Sequence, residues 1–194
     1  MLIEKWLERT PFLQVKDFSF WKEYRGTVNS MLQGDEDSIQ NNPHLNDEGK
    51  KVQLEQLAKT RASFETIFDE AQLKEAIKDG RWRLSQKATL AALFIYLYRD
   101  EPAVQLPFKL LSLLTDIDEN FTAWRSRHAQ MALRMIGTKI GTGGSSGADY
   151  LQKAAMSHRI FYDLTRLATF LIPRRLLPAL PADIKKMLSF HYQD

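Results

Sequence analysis

The sequence predicts an all-α protein, a helical bundle, on three grounds. Apolar residues recur at spacings of three and four along most of the 194 residues, which is the signature of helices with one buried face. Pro and Gly punctuate that pattern where helices would end. No stretch alternates apolar and polar residues at a period of two, and no hairpin signal joins two such stretches. The length fits a single domain over 1–194. With 44% hydrophobic and 26% charged residues, a core can form without a disulfide or a structural metal.

Residues 2–10 form a short helical segment stopped by Pro11. Over 17–32, Phe18, Trp21, Val28 and Leu32 share near-helical spacing, with Asp17 as the expected N-cap. Residues 34–49 are polar, include Asn41-Asn42-Pro43, and are expected to be a loop. Residues 50–69 carry Leu54, Leu57, Arg61, Phe64 and Phe68 on one stripe. A shorter helix follows to Lys78, ended by Asp79-Gly80. Ser85 is the expected cap of the next helix, whose Ala88–Tyr98 stretch is apolar all round and therefore belongs at the centre.

Pro102 and Pro107 are expected to bracket a turn before a new apolar helix at Leu110–Leu114. Another helix is expected from Asp118 to Ile136. On it Phe121, Trp124, His128, Met131 and Met135 follow a 3-4-3-4 spacing and share one face, which makes His128 a candidate buried imidazole. Tyr150–Ile172 reads as one long amphipathic helix ended by Pro173, and a last short helix runs through Phe190.

Composition narrows the chemistry. The chain has no Cys, which excludes disulfides, thiolate catalysis, Cys-type zinc sites and iron–sulfur ligation and suits a cytoplasmic location. Net charge is only +3, and no Lys/Arg block with interleaved aromatics points to nucleic acid. Met1-Leu-Ile-Glu-Lys-Trp is not a signal peptide, and no 18-residue apolar run exists to span a membrane.

A histidine on an apolar face is usually a core residue bonded to a carbonyl; it is also a potential metal or haem ligand. Trp124 and Met131, one turn to either side of His128, form a flat, soft wall of the kind a porphyrin uses, or ordinary core. Just downstream, five of the nine glycines fall between 137 and 147. Such density permits positive-φ turns and leaves amides free to face an anion. Gly147 is followed by Ala148, so this is no P-loop. It follows a helix, so it is no dinucleotide fingerprint either. The alternative is a plain flexible linker. None of His44, His158 and His191 has a partner ligand at i+3 or i+4 on an apolar face, Ser145 and Ser146 lack a triad context, and no carboxylate pair suggests glycosidase chemistry.

Trp124-Arg-x-x-His128, Arg134-Met-Ile-Gly137, Gly141-Thr-Gly-Gly-Ser-Ser-Gly147 and Tyr150-Leu151 resemble the tryptophan 2,3-dioxygenase family. So do Trp6–Pro11, Phe18–Trp21, Arg83–Ser85, Tyr98–Pro102, Asp116–Asp118 and Leu171–Arg174, in the family's order. The resemblance implies an all-α fold of the haem-dependent tryptophan/indoleamine dioxygenase type, a haem b cofactor, a homotetramer, and insertion of O2 across the indole C2–C3 bond of L-tryptophan to give N-formylkynurenine. By position, His128 matches the proximal iron ligand, Trp124 a tryptophan beside it, and Thr142, with Gly141, the loop that contacts the substrate's amino-acid end. Family members are longer at the N-terminus, where the distal pocket is built. The chain is therefore expected to need that N-terminal half, in cis or in trans, for activity. A fragment, half of a split enzyme, or a non-catalytic helical interaction or haem-binding module derived from the fold are the readings this leaves open.

Overall fold

The structure, a computed structural model of the chain, describes residues 2–10, 14–15, 18–137, 151 and 159–189. Among these the fold is all-α apart from one minimal antiparallel pair, β1 (Gln14–Val15) with β2 (Phe18–Ser19), in the register Gln14↔Ser19 and Val15↔Phe18. The helices are α1 (Leu2–Leu7), α2 (Phe20–Gln40), α3 (Asp47–Phe68), α4 (Glu70–Lys78), α5 (Gln86–Leu97), α6 (Pro102–Ile136), α7 (Tyr162–Arg166) and α8 (Ala182–Leu188), with 3-10 turns at Leu167–Phe170 and Arg174–Leu176. Where one domain over 1–194 is expected, the chain divides into two compact units: residues 1–107 with 167–194, and residues 108–166.

In the first unit, α5 is the central element, as its uniformly apolar sequence predicts. Ala88, Ala91, Ala92, Leu93, Phe94 and Ile95 are all buried. Ser85 caps it, its Oγ accepting from Ala88 N at 3.3 Å. The first turn of α5 holds no acid; Glu4 of α1 and Glu8 just after it supply two. Glu4 accepts from Ser85 N at 3.0 Å and Glu8 from Ser85 Oγ at 2.5 Å, placing negative charge at the positive end of the helix. Phe20 at the start of α2 packs its edge or face against Phe94 at 5.2 Å and Tyr98 at 5.3 Å between ring centroids. The Tyr24 hydroxyl donates to the Phe170 carbonyl, and that of Tyr98 to Pro178 O at 2.6 Å, which ties the chain after α7 to the α2–α5 core. Burial pushes both phenols well above their ordinary range, so both serve as neutral donors.

Thr89 is buried in the first turn of α5, and its Oγ1 accepts from Trp82 Nε1 at 2.8 Å. Thr89→Val withdraws that acceptor at nearly unchanged volume. It is expected to lower unfolding free energy by about 1–3 kcal/mol, read from urea midpoints; a variant as stable as the parent would show the bond to be dispensable.

Several expectations are corrected. The 34–49 loop is mostly helix: α2 continues through Gln40, α3 starts at Asp47, and only residues 41–46 connect them. The polar composition there is that of a solvated helix face. A Cβ on Gly34 would meet nothing, so its cost is only the ~1 kcal/mol propensity loss of glycine. Nearby, Gln33 Nε2 donates to Asp37 at 3.2 Å. Asn46 accepts from Gly49 N at 2.8 Å and caps α3. The helix expected from residue 17 begins at Phe20, because β2 keeps the backbone extended through Ser19; Asp17 lies outside the described residues. Two strands of two residues are too short to show a period.

The turn expected between Pro102 and Pro107, and the separate helices after it, are one 35-residue helix. Pro102 occupies its first position, where an N–H has no partner anyway. Pro107 forfeits one bond, to Ala103 O, and buried Val104 and Leu111 on either side keep the helix docked. Asp79-Gly80 ends α4 as predicted, in a Schellman arrangement: Gly80 has φ +71°, with Arg81 N donating to Ala76 O at 2.9 Å and Gly80 N to Ile77 O at 3.0 Å. The 150–172 helix is not continuous: Leu151 is helical, residues 159–161 are not, and α7 and a 3-10 turn follow; residues 150 and 152–158 lie outside the described residues. The last helix closes at Leu188.

Candidate functional site

The second unit holds most of α6, and α6 has two unlike faces. Leu111, Asp118 and Ala129 are buried. On another side Leu113, Ile117, Phe121, Trp124, Met131 and Met135 are between 47% and 78% exposed. Their spacing of three and four residues makes one apolar stripe, with His128 its only polar member. His128 is exposed, against the expectation of a buried imidazole. Successive helical residues turn by about 100°, so the neighbour of buried Ala129 faces away from what Ala129 packs on. The spacing identified an apolar face; among the described residues nothing covers it.

The His128 ring stacks on Trp124, one turn earlier, with centroids 5.7 Å apart and planes 26° from parallel. Neither ring nitrogen of His128 has a hydrogen-bond partner among the described residues. Arg125 lies off the stripe with its guanidinium 5.8 Å from the Phe121 centroid. Gly137 ends α6 with φ +63° and donates its N–H to Leu133 O at 2.9 Å; only glycine adopts that conformation without strain. Gly141, Thr142, Ser145, Ser146, His158 and His191 lie outside the described residues. His44 is exposed in the 41–46 connection, and its own N–H donates to Asn42 Oδ1 at 2.9 Å.

Ten residues before His128 on the same helix, Asp118 is 2% exposed. Its Oδ1 accepts from Ile160 N at 2.8 Å and its Oδ2 from Phe161 N at 3.2 Å. Arg159 Nε stands 3.6 Å from Oδ2, an ion pair longer than a hydrogen bond. The Arg159 guanidinium also lies 5.3 Å from the Tyr162 ring centroid. This fork explains why the chain is not helical at 159–161: the amides of Ile160 and Phe161 are spent on a carboxylate. Sequence reasoning took Asp118 as a helix start and missed the fork. The available signal was an acid on the face that Leu111 and Ala129 make apolar.

No three His, Cys, Asp or Glu side chains among the described residues cluster as a metal site. A lone imidazole does not hold a transition metal by itself. It does hold one whose other ligands come from a macrocycle, and the exposed aromatic and thioether side chains around His128 suit a flat apolar partner. The donor set therefore fits haem. No described helix is long and apolar enough to cross a membrane.

The family model for tryptophan 2,3-dioxygenase matches residues 1–171. The chain belongs to the tryptophan 2,3-dioxygenase family. Among relatives bearing that name, the one from Bdellovibrio bacteriovorus is 51% identical over 190 residues, 98% of this chain and 53% of the relative. That from Alteromonas mediterranea is 44% identical over 192 residues, 99% and 53%. That from Dictyostelium discoideum is 44% identical over 190 residues, 97% and 48%. The chain thus spans about half the length of the tryptophan 2,3-dioxygenases it matches. The exposed stripe of α6 lies within the part they share with it.

Proposed function

We propose that this chain is the proximal, haem-ligating part of a tryptophan 2,3-dioxygenase. The observation that carries the reading is His128, the one polar group on an exposed apolar stripe, in a chain of that family. His128 would hold the haem iron as a neutral imidazole, its tilt restrained by the stacked Trp124. Phe121, Met131 and Met135 would exclude water around it. Haem, when bound, supplies the redox-active iron that dioxygen chemistry requires. In the overall reaction the indole C2–C3 bond of L-tryptophan breaks, and one oxygen atom of O2 ends on each carbon, giving N-formylkynurenine. Thr142 and Gly141 would bind the amino-acid end of the substrate, the Thr142 hydroxyl accepting from the ammonium group.

The rest of the pocket must come from elsewhere. A substrate carboxylate needs a cation in a water-poor site, and Arg125 packs on Phe121 of its own helix. The half of the relatives' length that this chain does not span is the natural source, and covering the stripe is worth about 1 kcal/mol or more per large side chain. Assembly as a cytoplasmic homotetramer completes the reading.

The test is reconstitution. The chain is mixed with haem and with the N-terminal half of the Bdellovibrio bacteriovorus relative, and N-formylkynurenine is followed by absorbance. Haem uptake and turnover in the mixture, with little turnover by the chain alone, are expected. In the active mixture Thr142→Ala should raise KM or lower kcat while the haem spectrum stays unchanged. A chain that never takes up haem, even beside its complement, is instead a non-catalytic helical module.

A further inference from the structure

We propose that Asp118 keeps the apolar stripe of α6 turned outward, where a cofactor and a complementing segment can reach it. The consequence for haem rests on the reading of His128 given above; the orientation itself does not. In the second unit α6 puts its more polar side inward. Its buried residues there, Leu111, Asp118 and Ala129, are seven and eleven residues apart, which sets them within about 40° of one another around the axis. Half-buried Thr122 and Arg125 share that side. The stripe is centred about 100° away and carries Leu110, Leu113, Ile117, Phe121, Trp124 and Met131, all exposed. Burial of apolar area has no preferred direction and would favour the opposite arrangement. A roll of α6 by one residue, about 100°, would bring Leu110, Ile117 and His128 into the places of Leu111, Asp118 and Ala129.

The Asp118 fork opposes that roll. Its two oxygens accept from the consecutive amides of Ile160 and Phe161 at 2.8 and 3.2 Å, and Arg159 Nε stands 3.6 Å from Oδ2. Hydrogen bonds are directional, so two amides donating to one carboxylate fix the rotation of α6 against residues 159–161. Apolar contact alone does not. A rolled helix would withdraw the acceptor from both N–H groups and the counter-charge from Arg159. Selecting one register over another is the best-attested use of a buried charge. Asparagine keeps one acceptor and turns an amino group toward the second N–H. Asp118→Asn therefore weakens the lock at almost constant volume.

The experiment labels the exposed imidazoles of the full chain with diethyl pyrocarbonate and locates the adducts by mass spectrometry. His44, exposed in the connection between α2 and α3, is the internal standard. The parent, Asp118→Asn, and Asp118→Asn combined with Ile117→Gln are compared. Asp118→Asn is expected to lower labelling of His128 relative to His44 on the order of tenfold, as the outward arrangement becomes the minor one. Hydrogen exchange at the Ile160 and Phe161 amides should quicken in the same variant. Adding Ile117→Gln, which puts a polar group on the side the roll would bury, should restore His128 labelling; a helix that is merely destabilised would gain nothing from it. Undiminished labelling of His128 in Asp118→Asn would overturn the proposal. So would loss of the far-ultraviolet helical signal in that variant, or failure of Ile117→Gln to restore the labelling. Failure of the parent reading looks different: haem uptake would not follow the labelling, and His128→Ala would keep its Soret band.

Discussion

His128→Ala is expected to abolish the Soret band of the haem-loaded chain, while His44→Ala keeps it. Outer partners of a metal ligand are typically worth about 10–100-fold in metal affinity, and removal of the only protein ligand should exceed that. Among the described residues the other histidine is His44, exposed in the connection between α2 and α3. The fold should not suffer, since His128 is exposed and its ring contact is with Trp124 of its own helix. Far-ultraviolet circular dichroism of the variant should overlay the parent, and added imidazole should restore part of the haem spectrum by taking the vacated place. A Soret band of parental height in His128→Ala would mean that the iron is held elsewhere and that the stripe has another use.

Phe20→Ala is expected to be the most damaging single change to the first unit, lowering its unfolding free energy by about 3–5 kcal/mol. Phe20 has no solvent exposure and sits where α2 meets α5, in edge-to-face contact with Trp21, Phe94 and Tyr98 and tilted against Tyr24. Truncation leaves a cavity among rings that cannot close it without rotating. The loss should also loosen the chain after α7, because Tyr24 and Tyr98 hold it through Phe170 and Pro178. Urea unfolding followed by tryptophan fluorescence reads the effect. A loss of less than about 1 kcal/mol would show that the aromatic cluster repacks freely. Phe20→Leu, which refills most of the volume, should cost much less than Phe20→Ala.

A milder pH effect accompanies these. The amide of Gln72, together with that of Ala71, donates to Asp69 and holds its carboxyl below the usual range. The folded pKa is thus the lower one. The α4 cap is fully effective above the ordinary aspartate range and weakens as the pH falls through the lowered value.

Much of this protein was legible in the residues because helix formation is local. Ser85 and Asp79-Gly80 mark helix ends, since each satisfies or terminates backbone bonds within five residues of itself. The Ala88–Tyr98 stretch, apolar all round, was expected at the centre, and all of it but half-buried Leu90 and Tyr96 is buried. The Trp124–His128 pairing and its glycine-rich sequel were enough to indicate the tryptophan 2,3-dioxygenase family that the family model and the relatives then showed.

What tertiary structure alone decided concerns partners far apart in sequence. A periodic stripe states that a helix has an apolar face; it does not state what covers that face. Only the packing revealed that α6 docks through Leu111, Asp118 and Ala129 and leaves Trp124, His128 and Met131 outward. Pro107 reads as a breaker when one bond is counted, and is overruled by the apolar burial on both sides of it. The polar residues 34–40 read as loop by composition, although α3 beside them gives the solvated helix a support. The non-helical backbone at 159–161 is tied to Asp118, more than forty residues earlier, whose buried carboxylate takes the amides of Ile160 and Phe161. In each case a local preference of about 1–3 kcal/mol yielded to a larger non-local term, burial or charge satisfaction, which becomes visible only when the chain has folded.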